Sequence, residues 1–383
     1  MDFALNQEQQ RVQEAACRFA QEEVAPVARA ADETGEFPMH LVKRMGELGF
    51  LAGPVGREYG GAGLDFVSYA LLCEELGRVD ASVRGFLTVH AGLVALCIQN
   101  WGSEEQKRHI LPRLASGESI GCYALTEVNA GSDAASMETT AREEGDSYVL
   151  NGEKIWITNG LSATTAIVFA TLDRGLRHKG ICAFLLEGNP PGCQRDPMPN
   201  KELGHRASEH ARITFKECRV PRLALLGEPG QGFAIAMSAL ECGRIGVASG
   251  AVGIAQACLD ACVDYTRQRR QFGQRLADFQ MLQGTLADMA ADVDAARLLT
   301  YRAAWTKDCG LPAMRATSIA KLFATEAAMR AASEAVLLHG NRGYSNEYPV
   351  ERHYRDIKGL QIYEGTSHIQ RVIIARDLVG RER

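Results

Sequence analysis

The spacing of apolar and polar positions divides the chain into three stretches of different texture. From residue 1 to about 120, apolar residues recur at helical steps, as with Phe19, Val24 and Val27 and again with Leu71, Leu72 and Leu76. Glycine-rich breaks such as GPVGREYGGAG separate these runs, and Pro38 and Pro112 stand at expected helix starts. Between about 121 and 228 the pattern shortens to β-branched and aromatic runs: GCYALTE, SYVLNG, KIWITNG, AIVFATL, ICAFLLEG and ARITF. Gly, Asp, Asn and Pro clusters punctuate them, which predicts a compact β-domain, a barrel or a sandwich. From about 229 helical spacing returns. Leu282, Leu286, Met289, Val293 and Ala296 step by 4, 3, 4 and 3 and so share one helix face. The Ala-rich helices around them read as an antiparallel four-helix bundle. The expected fold is a multi-domain α+β chain, helical over 1–120, β over 121–228 and helical over 229–383.

Composition narrows the function classes. A chain of 383 residues is too long for one small core, so more than one domain is expected. A net charge of −5 gives no reason to expect nucleic acid or an anionic membrane surface as partner. No uninterrupted apolar run approaches the ~20 residues of a bilayer span, and the start MDFALNQEQQR does not read as a signal peptide. The eleven cysteines are odd in number and contain no Cys-x-x-Cys pair, which argues for reduced thiols and a cytoplasmic protein with no metal site.

The residues with chemical promise are scattered along the chain. In QIYEGTSHIQR, residues 361–371, Glu364 lies between Tyr363 and Gly365. Apolar neighbours disfavour the charged carboxylate and raise its pKa toward what a general base near neutral pH needs, while Gly365 lets a ligand approach the backbone. The segment YALTEVNAGSD offers hydroxyl donors at Thr126 and Ser132; it also reads as a plain turn. In KIWITNG, a spacing of two puts Trp156 and Thr158 on one side of a strand. There Trp156 can be core, or can cover one face of an aromatic cofactor. RRQFG ends a helix with arginines that either answer its macrodipole or grip a phosphate. No Walker loop, strand–GxGxxG–helix unit, GxSxG elbow or HExxH motif is present, which leaves nucleotide-fold, hydrolase and metalloenzyme readings unsupported.

Taken in order, YALTEVNAGSD, KIWITNG, RRQFG and NEYPVERHYRDIKGLQIYEGTSHIQR resemble the acyl-CoA dehydrogenase family over the whole chain. The resemblance implies an FAD-dependent oxidoreductase that removes a proton from Cα and a hydride from Cβ of an acyl thioester, with Glu364 as the base. It implies flavin contacts from Tyr123, Leu125, Thr126, Ser132, Trp156 and Thr158, and a diphosphate contact from Thr366. Arg269, Phe272 and Gln280 would reach the FAD of a neighbouring subunit in a homotetramer or dimer. Arg84, Ser132, Arg244, Tyr363 and Gly365 would face the substrate. An electron-transfer flavoprotein would accept the electrons. Departures from the family pattern include Val128-Asn129, Leu337, Asn341 and His368, which bear on the cofactor contacts, and Gly243, where some members carry an alternative glutamate base. Arg84 is the unusual residue in the segment expected to line the acyl pocket. It resembles the arginine of glutaryl-CoA dehydrogenases and of hydroxymalonyl-carrier-protein pathway dehydrogenases. It either meets an acidic or polar acyl group, or pairs with Asp80 on its own helix. The expected substrate is a short acyl-CoA, either polar or acidic or a small plain acyl group, with an acyl-carrier-protein thioester as the alternative.

Overall fold

The structure is a computed structural model that describes residues 4–380. The N-terminal helices are α1 (Gln7–Phe19), α2 (Ala25–Thr34), α3 (His40–Glu47), α4 (Phe66–Val79), α5 (Ala81–Leu87), α6 (Leu96–Trp101) and α7 (Glu104–Ser116). Their boundaries follow from side-chain caps. Asn6 and Gln9 form a capping box at α1, Ser103 and Gln106 another at α7, and Asp80 accepts the Val83 N–H to start α5. Between α5 and α6 the chain stays helical through a π-helical stretch, Thr88–Ala95, so that Ala81–Trp101 is one continuous rod. Pro112 does not open a helix as expected. It sits inside α7 with its ring exposed, where water can take the carbonyl it leaves without a donor.

The middle of the chain forms an eight-stranded mixed sheet. Its strands are β1 (Gly121–Ala124), β2 (Thr140–Glu144), β3 (Ser147–Thr158), β4 (Thr165–Thr171), β5 (Ile181–Glu187), β6 (Cys193–Pro197), β7 (His210–Pro221) and β8 (Leu225–Leu226). The order is β6-β7-β3-β2-β4-β5-β8, with β1 laid parallel to the first half of β4. SYVLNG and KIWITNG, separate runs in the sequence, are one long strand, β3. It loses register with β7 between Leu150 and Gly152 and again between Lys154 and Ile157.

The C-terminal helices are α8 (Gly232–Gln268), α9 (Gln280–Asp308), α10 (Met314–His339), α11 (Val350–Leu360) and α12 (Ser367–Val379). The predicted stripe on α9 packs as its spacing requires: Met289, Val293 and Ala296 are buried, and Leu282 and Leu286 pack partly buried against the same core. Helix α4 crosses α8 closely because Gly77 faces Gly250; a Cβ on Gly77 would lie 2.6 Å from the Gly250 Cα. Among the described residues, two helices are long and apolar enough to cross a membrane, Ala81–Trp101 and Gly232–Gln268, although neither is an uninterrupted apolar run, being broken by Arg84 and His90 and by Glu241 and Arg244. Their apolar windows are 89% and 72% buried inside the protein, which accounts for that composition as core packing. All eleven cysteines are free.

Candidate active site

A cavity of about 480 Å³ opens where the three layers meet. One wall is the α5 rod, which presents Arg84, Gly85, Thr88, Val89 and Leu93 at three- and four-residue steps. The sheet supplies Tyr123, Leu125, Thr126, Trp156 and Thr158, and the C-terminal helices supply Leu240, Tyr363 and Glu364. Residues 280 positions apart in sequence are therefore neighbours.

Glu364 sits in the turn between α11 and α12 with φ +54°, the left-handed region that non-glycine residues seldom adopt. Hydrogen bonds hold that backbone. Lys321 Nζ donates to the Gly365 carbonyl at 2.7 Å, and Gln370 Nε2 donates to the carbonyls of Gly365 and Glu364 at 2.9 and 3.1 Å. Thr366 caps α12 through the Ile369 N–H, and Ser367 and Gln361 both donate to Glu326. The residue as a whole is half-buried, but its Oε2 is enclosed and has no hydrogen-bond partner among the described residues. Burial raises its pKa to about 7 against the opposing pull of Arg84, Lys321 and Arg244. A carboxylate with a free buried lone pair and a pKa near neutrality can take a proton.

The space Glu364 occupies exists because residue 243 is glycine. A Cβ there would overlap Oε2 of Glu364 and come within 2.7 Å of Leu93 Cδ2. Gly243→Ala is expected to leave the fold intact, displace the carboxylate and lower the rate of flavin reduction at least tenfold. A stopped-flow rate equal to wild type would show that the carboxylate position does not matter.

Arg84 is 1% exposed and, among the described residues, forms no ion pair with a carboxylate. Its guanidinium donates to the hydroxyls of Thr88, at 3.2 Å, and Tyr363, while Nε has no partner. Asp80 is not that partner, since its carboxylate caps α5 through Val83. Two neutral hydroxyls and the face of the Tyr363 ring, its centroid 5.8 Å from the guanidinium carbon, leave the buried cation without a directly paired anion, in a cavity that a ligand can enter. Arg244, also buried, reaches Ser318 at 3.4 Å and keeps an unpaired Nε; burial lowers its pKa, with Glu364 opposing.

On the sheet wall, Trp156 and Thr158 both reach the cavity, but not by simple alternation along a flat strand. The register shift in β3 coincides with φ +58° at Trp156, which leaves the indole 45% exposed at the cavity edge. A large aromatic held in a disfavoured conformation and left uncovered fits a planar ligand laid against it. Tyr123 and Leu125 are buried, with the Tyr123 hydroxyl donating to the Ala236 carbonyl at 3.2 Å. Two groups not singled out in the sequence fix this wall. Lys154 Nζ donates to the Leu125 carbonyl at 3.1 Å and to Glu127 at 2.6 Å, and Glu127 also accepts the backbone N–H groups of Glu138 and Thr139. His90 is buried, and burial lowers its pKa to about 4; its neutral ring accepts the Gly121 N–H at 3.1 Å and bonds the Leu114 carbonyl at 3.0 Å. It thereby ties β1 to the helical layer.

The remaining expected residues lie elsewhere. Ser132 is exposed and outside the cavity lining. Arg269, Phe272 and Gln280 are exposed around a small hairpin, Arg270–Gln271 against Gln274–Arg275, and Phe272 is 94% exposed with φ +51°. None of the three lines the cavity that holds Glu364. Lys321, buried and pulled down to about 8 by its burial, was not singled out in the sequence, because nothing about a lysine in an Ala-rich helix marks it as the clamp of a distant turn.

A helical–sheet–helical chain that brings an enclosed carboxylate and an exposed indole to one cavity has the make-up of an enzyme that works on a ligand bound between its layers. The chain matches the acyl-CoA dehydrogenase N-terminal domain over residues 6–118, the middle domain over 122–218 and the C-terminal domain over 230–379. It is 48% identical over 368 residues to the short-chain specific acyl-CoA dehydrogenase of Homo sapiens mitochondria, covering 96% of this chain and 89% of that one. The butyryl-CoA dehydrogenase structure from Megasphaera elsdenii superposes with a TM-score of 0.97 at 41% identity, over 99% of this chain and all of that one. A glutaryl-coenzyme A dehydrogenase in complex with glutaryl-CoA superposes with a TM-score of 0.96 at 39% identity, over 99% and 97% of the two chains. This protein belongs to the acyl-CoA dehydrogenase family, and it is an FAD-dependent oxidoreductase acting on acyl-CoA.

Proposed function

We propose that the chain dehydrogenates a short acyl-CoA whose distal end carries a carboxylate or another strong acceptor. The observation that carries this reading is Arg84, buried at the cavity wall with two neutral hydroxyls and the Tyr363 ring for partners and, among the described residues, no ion-paired carboxylate. Glu364 takes the α-proton through its unpaired Oε2. Lys321 and Gln370 hold the turn so that the carboxylate stays aimed while the proton moves. Negative charge that develops on the thioester oxygen is stabilised by hydrogen bonds, among them the Glu364 backbone N–H. FAD, when bound, supplies the two-electron acceptor for the β-hydride. Tyr123, Leu125, Thr126, Trp156 and Thr158 would hold it on the sheet wall, with Thr366 and Ser132 toward its other parts. Arg269, Phe272 and Gln280 complete the site of a neighbouring subunit, which makes the working unit a homotetramer or dimer and explains an almost fully exposed Phe272. Electrons then leave to an electron-transfer flavoprotein.

Anaerobic bleaching of the bound flavin by a panel of CoA thioesters tests the substrate. Glutaryl-type monoacyl thioesters should bleach faster than butyryl-CoA at equal concentration, and the protein should sediment as a dimer or larger. A panel in which only neutral straight chains react removes the acidic-substrate reading, and a monomer removes the shared site. Bleaching only by the thioester on an acyl carrier protein would assign the chain to the carrier-bound alternative.

A further inference from the structure

Gly85 lines the cavity, Gly243 and Gly250 lie buried in α8 behind its wall, and the three are glycine for different reasons. Gly243 makes room for Glu364, and Gly250 makes room for Arg84, whose Nε would lie 2.7 Å from a Cβ at that position. Gly85 has no such neighbour: a Cβ built on it meets nothing within 4 Å. It lies inside α5 with right-handed helical geometry, so alanine would be the more stable residue there. It is partly exposed only because it faces the cavity, on the same wall as Arg84, Thr88 and Val89. Its carbonyl accepts from Thr88, the hydroxyl that also binds Arg84. Packing and backbone geometry therefore give no reason for glycine at this position, and the open space beside Arg84 does.

We infer that Gly85 is a specificity-determining residue, and that the natural acyl group carries a side substituent of one or two heavy atoms, a methyl branch or a hydroxyl, seated over it. This rests on the reading of Arg84 as the anchor of the distal acyl group and adds the width of that group to its charge. A substituent seated there would make contacts with the lining that an unfilled space forfeits.

The test compares acyl groups of equal charge and different width. Butyryl-CoA is paired with 3-methylbutyryl-CoA, and glutaryl-CoA with 3-methylglutaryl-CoA, in the FAD-loaded protein and in Gly85→Ala and Gly85→Ser. The branched-to-straight ratio of kcat/KM should fall at least tenfold in both variants in at least one pair, with Tm raised by about 1 °C for Gly85→Ala. A ratio that stays within twofold in both pairs overturns the proposal, whether or not the absolute rates fall. A lower Tm for Gly85→Ala would also overturn it, by showing that glycine serves the fold. Because each pair holds charge constant, failure here is separate from failure of the Arg84 reading, which appears as a difference between the two pairs.

Discussion

Glu364→Gln is expected to retain FAD and bind acyl-CoA while losing flavin reduction by about 10²- to 10⁴-fold. Glutamine keeps the shape and the backbone bonds to Lys321 and Gln370 but has no lone pair of sufficient basicity at the enclosed Oε2 position. The same carboxyl sets a pH signature. Burial favours its protonated form and lifts its pKa to about 7, so kcat/KM in the wild type should climb as pH rises through about 7 and then level. The sign for stability is opposite. A carboxyl whose folded pKa lies above its unfolded one stabilises the fold at low pH, and that contribution is lost as pH rises through about 7. Single-turnover reduction read at 450 nm decides the catalytic claim. Near-normal reduction by Glu364→Gln would falsify it and move attention to Glu241, which is paired with Lys307 at 2.8 Å.

The order of helical, sheet and helical layers was legible because each texture is a local property: period, β-branching and turn residues survive in one dimension. The motif around Glu364 was legible for the same reason, a carboxylate beside an aromatic and a glycine. What could not be read is what the third dimension supplies. The turn that carries Glu364 depends on Lys321, more than forty residues earlier in a helix whose pattern is otherwise ordinary core. The sheet wall depends on a buried Lys154–Glu127 pair, and a lysine in a strand looks like any solvent-facing charge until its neighbours are known. Trp156 and Thr158 were placed by strict alternation, which the bulge in β3 breaks while still bringing both to the cavity. The Asp80–Arg84 pairing failed for a local reason. At the first residue before a helix an aspartate finds unpaired N–H groups closer than any side chain four residues on, and it capped α5 instead.

Arg84→Met is expected to reverse the preference between acidic and neutral acyl groups. Methionine keeps much of the stem's volume against Gly250 and Tyr363 while removing the charge. In the wild type a distal carboxylate would give the guanidinium the anion that Thr88 and Tyr363, both neutral, do not provide. Removing one member of a buried charged pair costs about 3–5 kcal/mol, which corresponds to roughly a hundred- to several-thousand-fold in kcat/KM. The ratio of kcat/KM for glutaryl-CoA over butyryl-CoA should fall by that order in the variant. Glu364 makes no ion pair with Arg84 among the described residues; the two charges act on each other only at longer range, Arg84 pulling the carboxyl down while burial lifts it to about 7, so Glu364 is at most a partial counter-charge. Equal losses on both substrates would make Arg84 a structural residue that ties the α5 rod to Tyr363, and a plain short-chain acyl-CoA would then be the substrate to pursue.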